Sequence, residues 1–195
     1  MLDALRMELI YEAKNSHEVE YLILGADRLD KSPMLMIALC KTGNVVSMDW
    51  LVQSFRSKKV LPCGRYLAHQ TRVMITQQDF AMKKTLHNGF QRRKEGGLLA
   101  GWQVVFCNGV SAIADVPTMD ELKLMVRAAG GTVQDKATVK ENARRVVVIS
   151  SDPPKPSQLS ADILRISHAG GGMFTINWLL DCYMNQKLVG VRSRR

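Results

Sequence analysis

The residues best suited to catalysis or metal binding, the cysteines and histidines, are scattered along the chain. The four cysteines and four histidines show neither a C-x-x-C pair nor the ligand spacing of a zinc site, so we expect no metal and no cofactor. The thiols fit a reducing compartment better than a set of disulfides. No nucleophile–base pair or carboxylate dyad stands out, because aspartates beside predicted helix starts, such as Asp49, are explained by capping. We therefore predict no catalytic residues and a binding protein rather than an enzyme.

The remaining chemical feature of the sequence is its positive charge. The chain carries 27 lysines and arginines against 18 acidic residues, a net charge of +9. A basic balance favours polyanionic partners such as nucleic acid, phosphoproteins or acidic tails, although many intracellular domains are basic for solubility alone. One stretch concentrates the candidates for nucleic-acid contact, which are Lys83, Lys84, Arg92, Arg93 and Lys94. This stretch lacks a series of interleaved aromatic residues for base stacking, which favours a solvated linker surface.

Two stretches of the chain repeat one pattern. Val45–Phe55 and Met173–Tyr183 each contain a short apolar run, a hydroxyl residue and then Trp-Leu. The two tryptophans, Trp50 and Trp178, are separated by 178 − 50 = 128 positions. A repeat of this length indicates two related domains. Both tryptophans lie on predicted amphipathic helices, so we interpret them as structural core residues rather than binding aromatics.

Strands and helices alternate around the tryptophans. In the second copy, apolar runs and turn residues predict strand, helix, strand, strand, helix, strand and helix, and Gly130 and Gly131 close the first helix. The first copy begins with a helix predicted over 1–10 and lacks an opening strand, either because the chain is truncated or because this unit is degenerate. The alternation predicts an α/β fold in which each unit is a parallel sheet of about four strands flanked by helices.

The domain boundaries follow from these elements. We expect a first unit, a basic linker, a second unit and a basic tail, over residues 1–67, 68–98, 99–190 and 191–195. Leu86 and Phe90 could anchor a short helix in the linker. The helix over 32–40 and the last helix of the chain are expected to join the two units. No apolar run approaches the roughly 20 residues of a membrane helix, so we expect no membrane partner.

The element order, the glycine pair after the first helix and the tryptophan in the last helix resemble the BRCT domain. Two such units with a basic linker resemble a tandem BRCT module, and the resemblance covers nearly the whole chain. It implies a non-enzymatic nuclear scaffold of DNA-damage and checkpoint signalling, either a monomer or part of a larger chain. The implied partner is a phosphoserine peptide, which in a checkpoint mediator of this family is a histone tail. The alternatives are a module that binds protein or DNA without phosphate, and a region of a larger DNA ligase or polymerase.

The resemblance also implies where phosphate would bind. The family's phosphate-binding hydroxyl and glycine end a first strand that this chain lacks. The family's phosphate-binding lysine falls on Met34, whose thioether cannot replace an ammonium. A neighbouring family threonine falls on Ser32, which keeps a hydroxyl. The family's arginine for the peptide main chain or terminal carboxylate falls on Lys31, which keeps the charge and loses the bidentate geometry.

A groove between the two units is implied as well, for the side chain three residues after the phosphoserine. Met36 in the first-unit helix, with Asp115 and Val116 before a second-unit helix, occupy the positions that would line it. Helical spacing favours plain core packing for Met36. We therefore expect a groove beside a phosphate site that has Lys31 and Ser32 and lacks the family's lysine.

Overall fold

The computed structural model describes residues 5–10, 19–25, 31–68, 72–75, 78–112, 115–139 and 145–191. Its strands are β1 (Leu22–Leu24), β2 (Val45–Ser47), β3 (Arg72–Ile75), β4 (Gln78–Ala81), β5 (Gln103–Phe106), β6 (Thr132–Val133), β7 (Val146–Ser150) and β8 (Gly172–Thr175). Its α-helices are α1 (Pro33–Lys41), α2 (Met48–Arg56), α3 (Met82–Lys94), α4 (Met119–Ala128), α5 (Ala161–Ala169) and α6 (Ile176–Asn185). Short 3-10 helices cover Gly64–Tyr66, Val110–Ala112 and Pro156–Gln158. The α/β class predicted from the sequence is confirmed.

The second copy of the repeat builds a four-stranded parallel sheet in the order β6-β5-β7-β8. Every residue of β7, an inner strand, is buried, as expected for a parallel strand covered on both faces. Helix α4 begins with a capping box, in which the Thr118 hydroxyl accepts the N–H of Glu121 and the Glu121 carboxylate accepts the N–H of Thr118. The flanked parallel sheet predicted for this unit is confirmed.

The glycine pair ends α4 where another segment crosses it closely. Gly130 has a φ of +79°, and a Cβ there would lie 2.2 Å from the carbonyl oxygen of Gly96. A Cβ on Gly131 would lie 2.9 Å from the Cβ of Leu99. The Leu99 N–H donates to the Ala129 carbonyl at 2.7 Å, so the segment after α3 is fastened to the end of α4. Glycine at this helix end therefore satisfies both the left-handed backbone and the close approach.

The first copy is smaller within the described residues. Its sheet holds two parallel strands, β1 and β2. Residues 7–10 are neither helix nor strand, so the helix predicted over 1–10 is wrong there, while 1–4 lie outside the described residues. Leu5 and Met7 pack in a small hydrophobic cluster with Trp50 and Leu51. These contacts with residues distant in sequence accompany the loss of the predicted helix, since tertiary context can override local propensity.

Elements of the two copies correspond at a constant offset of 128 positions and follow the same order. Helices α1 and α5 correspond end to end, since 33 + 128 = 161 and 41 + 128 = 169. The indole Nε1 of Trp50 donates to the Leu61 carbonyl at 2.8 Å, and that of Trp178 donates to the Val189 carbonyl at 2.9 Å. These acceptors also differ by 128 positions. Trp50 is completely buried and Trp178 is half-buried, so each anchors the segment that follows its helix.

The linker contains more structure than the sequence predicted. An antiparallel hairpin, β3–β4, precedes the 13-residue helix α3. Thr85 and Asn88 of α3 donate to the carbonyls of the last two residues of α6, at 2.7 and 2.9 Å. Because the last carbonyls of a helix have no partner within it, α3 provides their missing donors. The linker helix is therefore part of the packed structure rather than a tether.

Helix α1 lies at the centre of the junction between the two units. Its residues from Leu35 to Cys40 are all buried, as expected for a helix that is apolar all round. It packs against α3, α4 and α6. The larger hydrophobic core contains residues of α1 together with the core of the second unit. None of the described helices has the length and apolar character needed to cross a bilayer.

Candidate functional site

The N-terminal end of α1 is the place where the implied ligand residues meet the second unit. Ser32 is the N-cap, and its Oγ accepts the N–H of Leu35 at 3.2 Å. The Ser32 carbonyl accepts the N–H of Met36 at 3.1 Å, and Pro33 has no N–H. Among the described residues, the Met34 N–H is the one donor of this first turn without an acceptor. The helix end therefore offers few backbone donors to a ligand, although its dipole still favours an anion.

Lys31 provides the positive charge at this end. Its Nζ lies 2.8 Å from Oδ1 of Asp181 on α6, and the two side chains are 28% and 48% exposed. The pair connects the residue that precedes the N-cap of α1 to the last helix of the chain. Lys31 is thus a partly exposed cation near the N-terminal end of α1, and its acidic partner is a residue of the second unit.

Asp181 was not predicted from the sequence, because the carboxylate approaches Lys31 only in the folded chain. One sequence signal does mark it. The equivalent position in the first copy, 181 − 128 = 53, is Gln53, so the repeat carries a charge at this position in the second copy alone. A charge present in one copy of a repeat is consistent with a role at the junction rather than within each unit.

The two methionines implied near the site differ in exposure. Met34 is half-buried and Met36 is completely buried. The core packing that helical spacing favours for Met36 is therefore what the structure shows, and its side chain does not reach a surface. Met34 is apolar, so within the described residues Lys31 is the cation at this end of α1.

Asp115 and Val116 lie before α4, which packs against α1. Val116 is half-buried against the larger core, and Asp115 is exposed with a φ of +65°. No hydrogen bond or ion pair within the described residues joins Asp115 to Lys31 or Ser32. The structure therefore packs α4 against α1, but no contact within the described residues joins the Asp115 carboxylate to Lys31.

The arginines of the basic stretch are occupied by structural contacts. Arg92 forms an ion pair with Glu95 at 2.8 Å. Arg93 donates from Nη1 to the carbonyls of Leu39 and Thr42, both at 3.2 Å, at the C-terminal end of α1. Burial lowers the pKa of the Arg93 guanidinium, although it stays protonated at neutral pH. Arg93 therefore caps α1, a role that a run of basic residues gave no reason to predict.

The lysines of the stretch remain on the surface of α3. Lys83, Lys84 and Lys94 are exposed. One aromatic side chain does interleave with them, since the Nζ of Lys94 lies 4.1 Å from the ring centroid of Phe90. This cation–π contact uses the ring within the protein. The three lysines form a small positive surface, with a single aromatic residue beside it.

A buried polar group at the junction was also missed. Gln186 Nε2 donates to the Tyr183 carbonyl at 2.8 Å and lies 3.4 Å from Cys40 Sγ of α1. Tyr183 Oη and Gln186 Oε1 are buried without a partner in the part of the chain described.

Burial raises the pKa of the Cys40 thiol to about 11 and that of Cys182 to about 12, so both stay protonated near neutrality. The described residues hold no group of three or more histidine, cysteine or acidic side chains placed to bind a metal ion.

Comparison with known proteins supports the fold rather than any particular activity. No protein-family model matches the chain, and no curated protein matches it in sequence. A solved structure, the BRCT5–BRCT6 domains of S. pombe Brc1, is similar to it with a TM-score of 0.70 and 18% sequence identity. The match covers 97% of this chain and 87% of that chain. The tandem BRCT fold predicted from the repeated tryptophan helix is therefore confirmed.

Proposed function

We propose that this chain, which has the tandem BRCT fold, is a non-enzymatic scaffold module that binds a phosphoserine peptide in nuclear DNA-damage signalling. The observation that supports the peptide ligand is the Lys31–Asp181 pair at the junction of α1 and α6. A partly exposed ammonium at a helix N-terminus already holds a carboxylate there. A phosphate group brought by a peptide would take the place of that carboxylate.

The chemistry of the helix end suits this exchange. Phosphate carries more negative charge than a carboxylate and has three acceptor oxygens. Lys31 would donate to one oxygen and the Met34 N–H to another. The Ser32 hydroxyl accepts the Leu35 N–H, and its own hydrogen is available to donate. The positive end of the α1 dipole would contribute as well.

The same geometry limits affinity. Asp181 must leave Lys31, and it would then face the incoming phosphate as a like charge. Met34 does not contribute the second ammonium that the family's lysine provides. We therefore expect phosphate-dependent binding that is weaker than that of a pocket with two cations, and a partner such as an acidic phosphorylated tail, of which a histone tail is one example.

The second candidate function is peptide binding that does not depend on phosphate. It is favoured by Met34 and Pro33, which make the helix end apolar and poor in donors. DNA binding through Lys83, Lys84 and Lys94 is the other form of this alternative, because these lysines are exposed on one helix. These functions differ in their dependence on phosphate and on salt.

One titration distinguishes them. Matched serine and phosphoserine peptides, each ending in a free carboxylate three residues after the serine, are titrated against the full chain by calorimetry. We expect the phosphopeptide to bind at least about tenfold more tightly, a difference of about 1.4 kcal/mol. Equal affinity for the two peptides, or no binding of either, would refute the proposal. Tight binding of a DNA duplex, with an affinity that falls steeply with salt, would support the DNA alternative instead.

A further inference from the structure

Helix α2 is apolar on two faces, and one of them is open to solvent. Trp50 and Leu51 on one face are buried in the small cluster of the first unit. Met48, Val52 and Phe55 follow the i, i+4, i+7 spacing of a second stripe. Met48 is 44% exposed and Phe55 is 40% exposed, while Val52 is half-buried. We call these three residues the outer face of α2.

The repeat shows what this face becomes in the second unit. Adding 128 to positions 48, 52 and 55 gives 176, 180 and 183, which are Ile176, Leu180 and Tyr183 of α6. Their exposures are 1%, 6% and 0%. The same helical face is therefore apolar in both copies, exposed in α2 and completely covered in α6.

Two helices cover the face in α6. Gln186, which follows α6, lies 3.4 Å from Cys40 Sγ of α1, and both α1 and α3 pack against α6. Thr85 of α3 donates to the Met184 carbonyl of α6 at 2.7 Å. In α6, the equivalent of the face that α2 exposes is thus buried, and a helix of the other unit packs against α6.

We propose that the outer face of α2 is a docking surface for an amphipathic α-helix of a partner protein, seated as α1 is seated on α6. This surface is separate from the Lys31 site and goes beyond the phosphopeptide function. The charge around the face specifies the partner further. Arg56, Lys58 and Lys59 are exposed at the C-terminal end of α2, so the partner helix presents apolar residues to the stripe and acidic residues to this end.

Helix α5 of a second copy does not match the outer face of α2. The equivalent of α1 in the second unit is α5, and positions 36, 37 and 40 of α1 correspond to Leu164, Arg165 and His168. Arg165 and His168 are exposed polar residues where α1 has buried apolar ones. A helix with this face would leave the Arg165 guanidinium and a polar imidazole against an apolar stripe, which costs free energy. Helix α5 of a second copy is therefore not the occupant.

The test uses α1 itself as the probe, since α1 covers the equivalent face. A peptide of residues 32–44 carrying Cys40→Ser, with two glutamates added at each end, is titrated into the isotopically labelled full chain. We expect saturable amide shifts that centre on Met48, Val52 and Phe55. The variant that combines Met48→Glu and Phe55→Glu should bind at least about tenfold more weakly, because a carboxylate would be buried against the apolar helix. The matched control Leu164→Glu, at a residue that is 37% exposed on α5, should bind like the parent.

Three outcomes would overturn this inference. The first is the absence of saturable shifts, and the second is shifts that persist in the double variant. The third is concentration-dependent self-association of the parent chain that the double variant abolishes, which would assign the face to a second copy. A neutral variant, Met48→Gln with Phe55→Gln, guards against misfolding, since it should keep the parent's melting temperature and still weaken binding.

Discussion

The substitution Asp181→Asn tests whether the Asp181 carboxylate competes with the phosphate of a bound peptide for Lys31. The variant keeps the size and hydrogen-bonding capacity of the side chain and removes its charge. It breaks the 2.8 Å ion pair with Lys31. If the pair marks the phosphate position, stability should fall slightly while phosphopeptide affinity rises, because Lys31 loses its competitor and the phosphate loses a like-charged neighbour.

The expected magnitudes follow from exposure. The two side chains are 28% and 48% exposed, and pairs of this kind contribute about 0.2–1 kcal/mol to stability. For a chain of this size, such a loss lowers the melting temperature by no more than about 4 °C. Repulsion between unit charges 4 Å apart near a protein surface is about 4 kcal/mol. Screening at this half-exposed position reduces that value, so we expect a gain of about 1 kcal/mol in binding, which is about fivefold in Kd.

The assay is calorimetric titration of the parent and Asp181→Asn chains with the matched peptides. The gain should be confined to the phosphopeptide and should shrink as salt is added. Asp162→Asn is the matched control, because Asp162 is an exposed carboxylate on α5 that pairs with Arg165 rather than with Lys31. An unchanged or weakened phosphopeptide affinity in Asp181→Asn would show that Lys31 and Asp181 do not form the phosphate site.

Three further predictions concern the scaffold that positions this site. Trp50→Ala should lower the free energy of unfolding by about 3–5 kcal/mol, because Trp50 is fully buried. Trp178→Ala should lower it clearly less, as measured by urea unfolding. Equal losses would contradict the different burial of the two indoles. Gly130→Ala should lower the free energy of unfolding by more than about 2 kcal/mol, because the φ of +79° and the nearby carbonyl exclude a Cβ. The control Gly64→Ala, with nothing within 4 Å of its Cβ position, should leave stability nearly unchanged. A Gly130→Ala chain as stable as the parent would refute the close approach. The pKa of Cys40 rises from 9.0 to about 11 on folding, so the unfolded thiol ionises first and stability should be lost as pH rises through this window, by up to about 1.4 kcal/mol per pH unit. Unfolding at a series of pH values should show a smaller slope in Cys40→Ala than in the parent chain, and Cys182, whose pKa burial also raises, accounts for part of the slope that remains.

The fold was predictable because a few residue types are physically constrained. The paired tryptophans carry the same indole-to-carbonyl hydrogen bond, and the Gly130-Gly131 pair has no room for side chains. Helix α1 could be assigned to the junction, since a helix that is apolar all round must be covered on every side. The polar sequence of the linker indicated less about its structure, and the hairpin β3–β4 was not predicted.

The details of the site depended on contacts between distant positions. Lys31 and Asp181 are 150 residues apart in sequence, and Arg93 reaches the end of α1 from the linker. A lysine before a helix and an arginine in a basic run look like solvated surface residues until the fold brings their partners close. The charge difference between Gln53 and Asp181 was the one local sign of Asp181 itself.

The measurement that tests the proposed function most directly is the ratio of phosphopeptide to unphosphorylated peptide affinity in Lys31→Gln. Lys31 is the cation that the proposal assigns to the phosphate, so the ratio should fall close to one, while Asp181→Asn should raise it. A Lys31→Gln chain that still prefers the phosphopeptide as strongly as the parent does would contradict the account and place phosphate recognition, if any, elsewhere on the molecule.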